Sequence, residues 1–206
     1  MRSITFLSQK GGSGKTTIAV HVAVSAQQSG ERVILIDTDP QASASTWAAA
    51  RTTEEPQIVK SSAVETRTLL RNAGGRNFAI IDSAPHSTAG IDVLASLADL
   101  LLIPCRPSVF DLAATITSVN IAKAAKKPAA FILNACAPRG SETEQAREVL
   151  KKHGFPVAPV TIGDRKAFSR AIISGEAVTE FEPHGKAAQE VMALWRWLKE
   201  QLGDNQ

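Results

Sequence analysis

The sequence predicts a single-domain α/β fold, with a mostly parallel twisted sheet, helices on both faces, and one domain over residues 1–206. Three observations predict it. Short β-rich apolar runs alternate with helical patterns along the chain, which implies βαβ units with right-handed crossovers. Two runs, Val33-Ile34-Leu35-Ile36 and Leu100-Leu101-Leu102-Ile103, are continuously apolar, as strands buried on both faces of a parallel sheet are. A glycine-rich loop joins the first apolar run to the first helical pattern. The hydrophobic content, 44%, suits a compact globular core and is too high for disorder. No repeat, linker or low-complexity segment interrupts the pattern.

The elements follow in order. Ile4-Thr5-Phe6-Leu7 carries a first strand over 3–8, and a helix over 15–29 stops at Gly30. Further strands are expected at 32–37, 57–61, 78–82, 99–104 and 129–134, with a weaker one near 156–160. Further helices are expected at 42–50, 63–73, 88–97, 112–125, 142–152, 166–173 and 186–202. Ser141 and Glu144 have the spacing of a capping box for the helix at 142–152. In the last helix Val191, Leu194, Trp195, Leu198 and Leu202 form one apolar face, read as core packing against the sheet. Basic flanks also permit an interfacial helix, but the chain ends in the polar, acidic Gly203-Asp204-Asn205-Gln206.

The net charge of +3 makes any nucleic-acid surface a local one. Cys105 and Cys136 lack metal-ligand spacing and read as buried thiols of a cytoplasmic protein. No stretch approaches a membrane span, and the N-terminus enters a strand without a secretory signal.

The chemistry concentrates in Lys10-Gly11-Gly12-Ser13-Gly14-Lys15-Thr16-Thr17. Strand, glycine loop and helix fit the P-loop template. Its backbone amides cradle phosphates, its Lys (here Lys15) reaches the β/γ oxygens, and its hydroxyl (here Thr16) meets Mg²⁺. Glycines let the backbone approach the phosphates. Asp37-Thr38-Asp39-Pro40-Gln41 ends the second strand and puts two carboxylates beside that loop, suited to Mg²⁺ and an attacking water. Ala79-Ile80-Ile81-Asp82 is an apolar strand ending in the best Walker B candidate, Asp82. His86, in the loop that follows, is given no chemistry. Asn134 ends the sixth strand; Ala135, Cys136 and Ala137 follow it, so the carboxylate that would recognise guanine is missing and adenine fits better. Arg165, Lys166 and Arg170 fall within two helical turns and could hold phosphates without reading bases.

The second lysine of the loop, Lys10 in KGGxGKT, resembles the deviant Walker A motif of the ParA/MinD ATPases. Asp37-x-Asp39-Pro-Gln is similar to the ParA switch, and the segment from Arg165 through Gly175 and Val178 resembles a ParA C-terminal signature. The resemblance covers nearly the whole chain. It implies a P-loop fold using ATP and Mg²⁺. Lys10 would cross a dimer interface to the partner's nucleotide, Asp39 would position water, Asp37 would support the Mg²⁺ shell, and Asn134 would read the base edge. It also implies a homodimer formed on ATP binding, sequence-blind DNA binding through Arg165, Lys166 and Arg170, nucleoid association, and a ParB-type activator. No helix-turn-helix precedes the P-loop, as in the short ParA type. Three other classes share parts of the pattern. One is a MinD-like membrane regulator, and another is a metabolic enzyme of dethiobiotin-synthetase type. The third, a nitrogenase-reductase-like protein, lacks its cysteine ligand pattern here.

Overall fold

The computed structural model describes residues 1–85 and 90–203. Its strands are β1 (Arg2–Phe6), β2 (Val33–Asp37), β3 (Gln57–Lys60), β4 (Phe78–Asp82), β5 (Leu100–Cys105) and β6 (Ala129–Leu133). They form one sheet of order β3-β2-β4-β1-β5-β6, parallel at every pairing. The expected continuous burial holds: every residue of β2, β4, β5 and β6 is buried.

The helices are α1 (Lys15–Gln28), α2 (Ser43–Ala49), α3 (Ala63–Arg71), α4 (Ile91–Leu97), α5 (Val109–Ala125), α6 (Glu142–Lys151), α7 (Lys166–Ile173), α8 (Val178–Phe181) and α9 (Lys186–Gln201). They split between the sheet's two faces because alternate strand residues point to opposite sides. Ile4, Phe6, Val33, Leu35, Ile80 and Leu102 pack with α1, α2, α7, α8 and α9. On the other face Leu101, Ile103, Phe131 and Leu133 pack with α4, α5 and α6, and Ile34, Ile36, Ala79 and Ile81 pack with Leu94 of α4 and with Leu69 and Leu70 of α3. The chain steps from β1 to β2 on one side and from β4 to β5 on the other. The order therefore reverses at β1, and the crevice at its carboxyl end is the ligand position of an open α/β sheet. Among the described residues no helix is long and apolar enough to cross a membrane. The apolar face of α9 is core, with Val191, Leu194, Trp195 and Leu198 buried.

Several expectations need correction. The weak strand near 156–160 is not one. The segment touches β6 through a single bridge, Phe131 to Val157. Pro159 has no amide hydrogen for a continuous ladder. Ser141 does not cap α6, because its backbone is already helical and its hydroxyl accepts from the Gln145 side-chain amide instead. The capping box is on α3, where Ser62 and Glu65 bond reciprocally. Helix α5 starts earlier than expected, at Val109, because Ser108 caps it: its Oγ accepts from the Asp111 amide at 3.2 Å. Helix α8 was not foreseen. The expected helix start at 88, His86 and the tail residues 204–206 lie outside the described residues.

Candidate functional site

The loop after β1 is shaped for an anion. Gly12 and Gly14 adopt φ of +72° and +94°, where a side chain would be strained. A Cβ on Gly14 would also collide with Asn134 Nδ2. Helix α1 starts at Lys15 without a side-chain cap, so its first amides face the loop without a protein cap, as phosphate binding requires. Lys15 is turned inward and only 5% exposed. Burial lowers the pKa of its ammonium, opposed by the carboxylates of Asp82 and Asp39.

Strands β2 and β4 end side by side, with Asp37 in register with Asp82. Burial pushes the Asp82 carboxyl up to about 7; the Thr16 hydroxyl, donating to Oδ2 at 2.5 Å, opposes that, and Asp37 adds to it. Asp82 Oδ1 and Ser13 Oγ are buried without a hydrogen-bond partner. Such orphaned oxygens mark a place where a ligand belongs. A hydroxyl and a carboxylate are the hard donors Mg²⁺ takes, so Thr16 and Asp82 fit the ion. Bound there with nucleotide, Mg²⁺ would neutralise phosphate charge.

Asp37 accepts hydrogen bonds from the protein on both carboxylate oxygens. Its Oδ1 accepts from the Asp39 amide at 3.2 Å, and its Oδ2 accepts from the Ser45 amide and hydroxyl at 2.9 Å each. It thereby ties the switch turn to the first turn of α2. Asp39 is half-buried, and its Oδ1 accepts from the Gln41 amide. A cavity of about 760 Å³ opens beside it, between Thr38, Gln41 and the Ser62–Ala63 start of α3. Asn134 reaches the P-loop: its Nδ2 donates to the Ser13 carbonyl at 2.8 Å.

Lys10 points away from the loop's interior. Its Nζ lies 2.7 Å from Asp111 Oδ2, in the first turn of α5, and its side chain is 36% exposed. Lys10 first and then Ser108 hold the Asp111 carboxyl below its usual range against the raising effect of burial. Asp111 was not foreseen. The Ser-x-x-Asp spacing from Ser108 marks it as a capping residue, but the pairing with Lys10 has no sequence signal.

The three C-terminal cations are not equivalent. Arg165 is held by Glu190, with Nε to Oε1 at 3.0 Å and Nη2 to Oε1 at 2.5 Å. Lys166 and Arg170 are exposed on α7. The bridge between Cys136 and Gly163 sets α7 just beyond the carboxyl end of β6, on the edge that carries the P-loop. Helix α2 is fastened to this region. Trp47 Nε1 donates to the Glu176 carbonyl at 3.2 Å, Arg51 donates to the Gly175 carbonyl at 3.0 Å, and Arg51 pairs with Glu180 at 2.9 Å. Both cysteines are free and buried, and burial pushes the Cys105 thiol up to about 12.

Known proteins share the sequence pattern and the fold. The sequence model for the "CobQ/CobB/MinD/ParA nucleotide binding domain" matches residues 4–178. The chain is 34% identical over 213 residues to the Maintenance of carboxysome distribution protein A of Gloeobacter kilaueensis, covering 98% of this chain and 94% of that one. It is 27% identical to Protein ParA of Rhizobium radiobacter, over 82% of this chain and 81% of the other. Two solved structures share the fold. The ATP complex of Cyanothece McdA has a TM-score of 0.79 at 18% identity, covering 100% of this chain and 98% of that one. The septum site-determining protein MinD of Pyrococcus horikoshii, complexed with Mg-ADP, has 0.82 at 18%, covering 98% and 97%. With a two-lysine P-loop on the reversal point of a parallel sheet and a family match over most of its length, the chain belongs to the ParA/MinD family of P-loop ATPases, which use ATP and Mg²⁺.

Proposed function

We propose that this ATPase positions cargo by cycling between an ATP-bound dimer that holds DNA of any sequence and a released state. The observation that carries the reading is the opposite orientation of the two loop lysines. Lys15 is buried in its own site, whereas Lys10 is partly exposed and paired with Asp111. A phosphate-loop lysine that faces outward suits a nucleotide in another subunit. There it would act as a charge clamp on the transferring phosphoryl group, as an arginine finger does. Asp39 would orient the water, and Asn134, anchored on the Ser13 carbonyl, would border the adenine. A ParB-type partner would stimulate hydrolysis.

For DNA the supporting features are Lys166 and Arg170. Lys166 occupies the first turn of α7, against the helix dipole, where a cation is costly unless an anion is its business. Dimerisation doubles these cations on one duplex, and linked sites gain affinity through effective concentration. Arg165 is paired with Glu190, so the test uses the two exposed cations of α7. The experiment is a gel shift on two unrelated duplexes with an ATP analogue and with ADP. Binding should need the ATP analogue, ignore sequence, and fall with salt at a log–log slope of about −0.9 per phosphate contact. Lys166→Glu with Arg170→Glu should abolish it without changing ATP affinity. Absence of DNA binding in both states overturns the reading. The cavity beside Asp39 supports a second reading, a small-molecule substrate. Turnover of tens per second without any partner protein would favour it, since the positioning role needs intrinsic hydrolysis below the ~1 s⁻¹ low end of ordinary enzymes.

A further inference from the structure

Helices α1 and α9 pack side by side and leave a crevice between them, at the end of α1 opposite the P-loop. Its volume is about 350 Å³, within the range of small-molecule sites. Ser25, Gln28 and Ser29 line it from the last turn of α1 and its C-cap, at helical spacings of three and four. Met192, Trp195, Arg196 and Lys199 line it from one face of α9. At the helical rise per residue, roughly 15–20 Å separates it from Lys15. It is therefore no part of the nucleotide site.

Trp195 forms the floor. It is 4% exposed, stands edge-on to Phe78 at 5.0 Å, and donates from Nε1 to Ser29 Oγ at 2.7 Å. Ser29 Oγ donates in turn to the Ala26 carbonyl at 2.7 Å. The floor is thus fixed before a ligand arrives, which lowers the cost of binding. Ser25 is also 4% exposed, yet its hydroxyl has no hydrogen-bond partner among the described residues. A buried hydroxyl that faces a crevice unpartnered is completed by what enters the crevice. Arg196 is exposed at the rim and has no ion pair among the described residues. Lys199 lies 3.2 Å from Glu31, whose carboxylate also takes the Asn77 side-chain amide and stands outside the lining. The lining carries two cations and no carboxylate. Met192, 38% exposed, adds an apolar edge one helical turn before the indole.

We propose that this crevice binds a small organic anion, an apolar body carrying one carboxylate or phosphate group. The body lies on Trp195 and Met192. The anionic group pairs with Arg196, whose planar guanidinium suits either oxyanion bidentately. Lys199 adds positive potential, and the Ser25 hydroxyl donates to a ligand oxygen. The site goes beyond the positioning role and does not depend on it.

The test is NMR of the ¹⁵N-labelled full chain with saturating Mg-ADP, which keeps the nucleotide site filled. The indole N–H of Trp195, assigned by its loss in Trp195→Phe, is followed while 3-phenylpropionate, phenyl phosphate or the neutral 3-phenylpropanamide is added. Fragments of this size bind in the roughly millimolar range. At least one of the two anions should shift the Trp195 signal saturably, at about tenfold lower concentration than the amide, as a charge-assisted contact is worth. The tighter anion identifies the group the site prefers. Arg196→Gln should weaken that anion about tenfold and leave the amide unchanged. Arg196 is exposed, so the variant should fold and melt as the wild type does. Ser25→Ala, which removes only the hydroxyl, should weaken the anion several-fold. No saturable shift with either anion up to roughly 50 mM, well above the fragment range, overturns the proposal. So does an amide that binds as tightly as both anions, or an Arg196→Gln protein that binds the anion as the wild type does.

Discussion

Replacing His21 with Leu should remove a pH dependence of stability that the wild type hides. His21 is fully buried on α1, with its ring 5.1 Å from Phe168. Its Nδ1 accepts from the Val178 amide at 3.2 Å, so the ring proton sits on Nε2, which is buried without a partner. Burial lowers its pKa from 6.5 to about 3. The folded value lies below the unfolded one. The contribution is therefore complete above pH 6.5 and is lost as pH falls toward 3. Each pH unit is worth about 1.4 kcal/mol, so going from about pH 7.5 to about pH 5 should cost the wild type about 2 kcal/mol through this side chain. Asp82 slopes the other way. Its folded value is raised, so its contribution is present below 3.8 and is lost as pH rises through about 7. Between roughly pH 4 and pH 6.5 the two nearly cancel, and the wild type alone would look flat in this respect. The difference between wild type and His21→Leu isolates the histidine, because Asp82 is common to both. Urea unfolding of the nucleotide-free proteins, followed by tryptophan fluorescence at several pH values, measures it. The wild type should lose about 2 kcal/mol relative to the variant on going from about pH 7.5 to about pH 5. A difference that stays constant with pH would refute a neutral, buried His21.

The remaining predictions concern the nucleotide cycle. Lys15→Ala should lose about 100-fold in ATP affinity by calorimetry, the worth of a strong charge-assisted contact; near-native binding would sink the P-loop assignment. Asp111→Asn should release Lys10 and strengthen ATP-analogue-dependent dimerisation several-fold in sedimentation, and an unchanged or weaker dimer would show that the pair does not restrain Lys10. Asp39→Ala should keep ATP affinity, accumulate dimer and hydrolyse less than about a tenth as fast, in line with the 10²–10⁴-fold worth of general acid–base groups. A wild-type rate in that variant would count against Asp39 as the residue that positions water.

What could be read from the sequence was what neighbours in the chain decide. The continuous apolar runs that became β2 and β5 identify themselves because burial on both sheet faces leaves no polar position. The P-loop is legible because strand, glycines and helix are contiguous. The pairs that shape the site are not contiguous: Lys10 with Asp111, Arg51 with Glu180, and Ser13 with Asn134. Each joins residues from different βα units, and only the sheet order brings them together. Arg165 shows the limit well. Spacing places it with Lys166 and Arg170, but Glu190 from α9 claims its guanidinium. Ser141 has the residues of a capping box and lacks the extended backbone that one needs. Ser62 has both.

Helix α8 has four residues, too few to be helical alone. Its order is lent by two neighbours: His21 of α1 takes its first amide hydrogen, and Arg51, just after α2, grips Glu180. These segments should therefore exchange their amide protons as one cooperative unit, α8 opening no more often than its weaker tether allows. Because α2 is itself tied to Asp37 through Ser45, whatever tightens the switch turn should lengthen the lifetime of α8. Amide protection of this four-residue segment should then report the state of the nucleotide crevice.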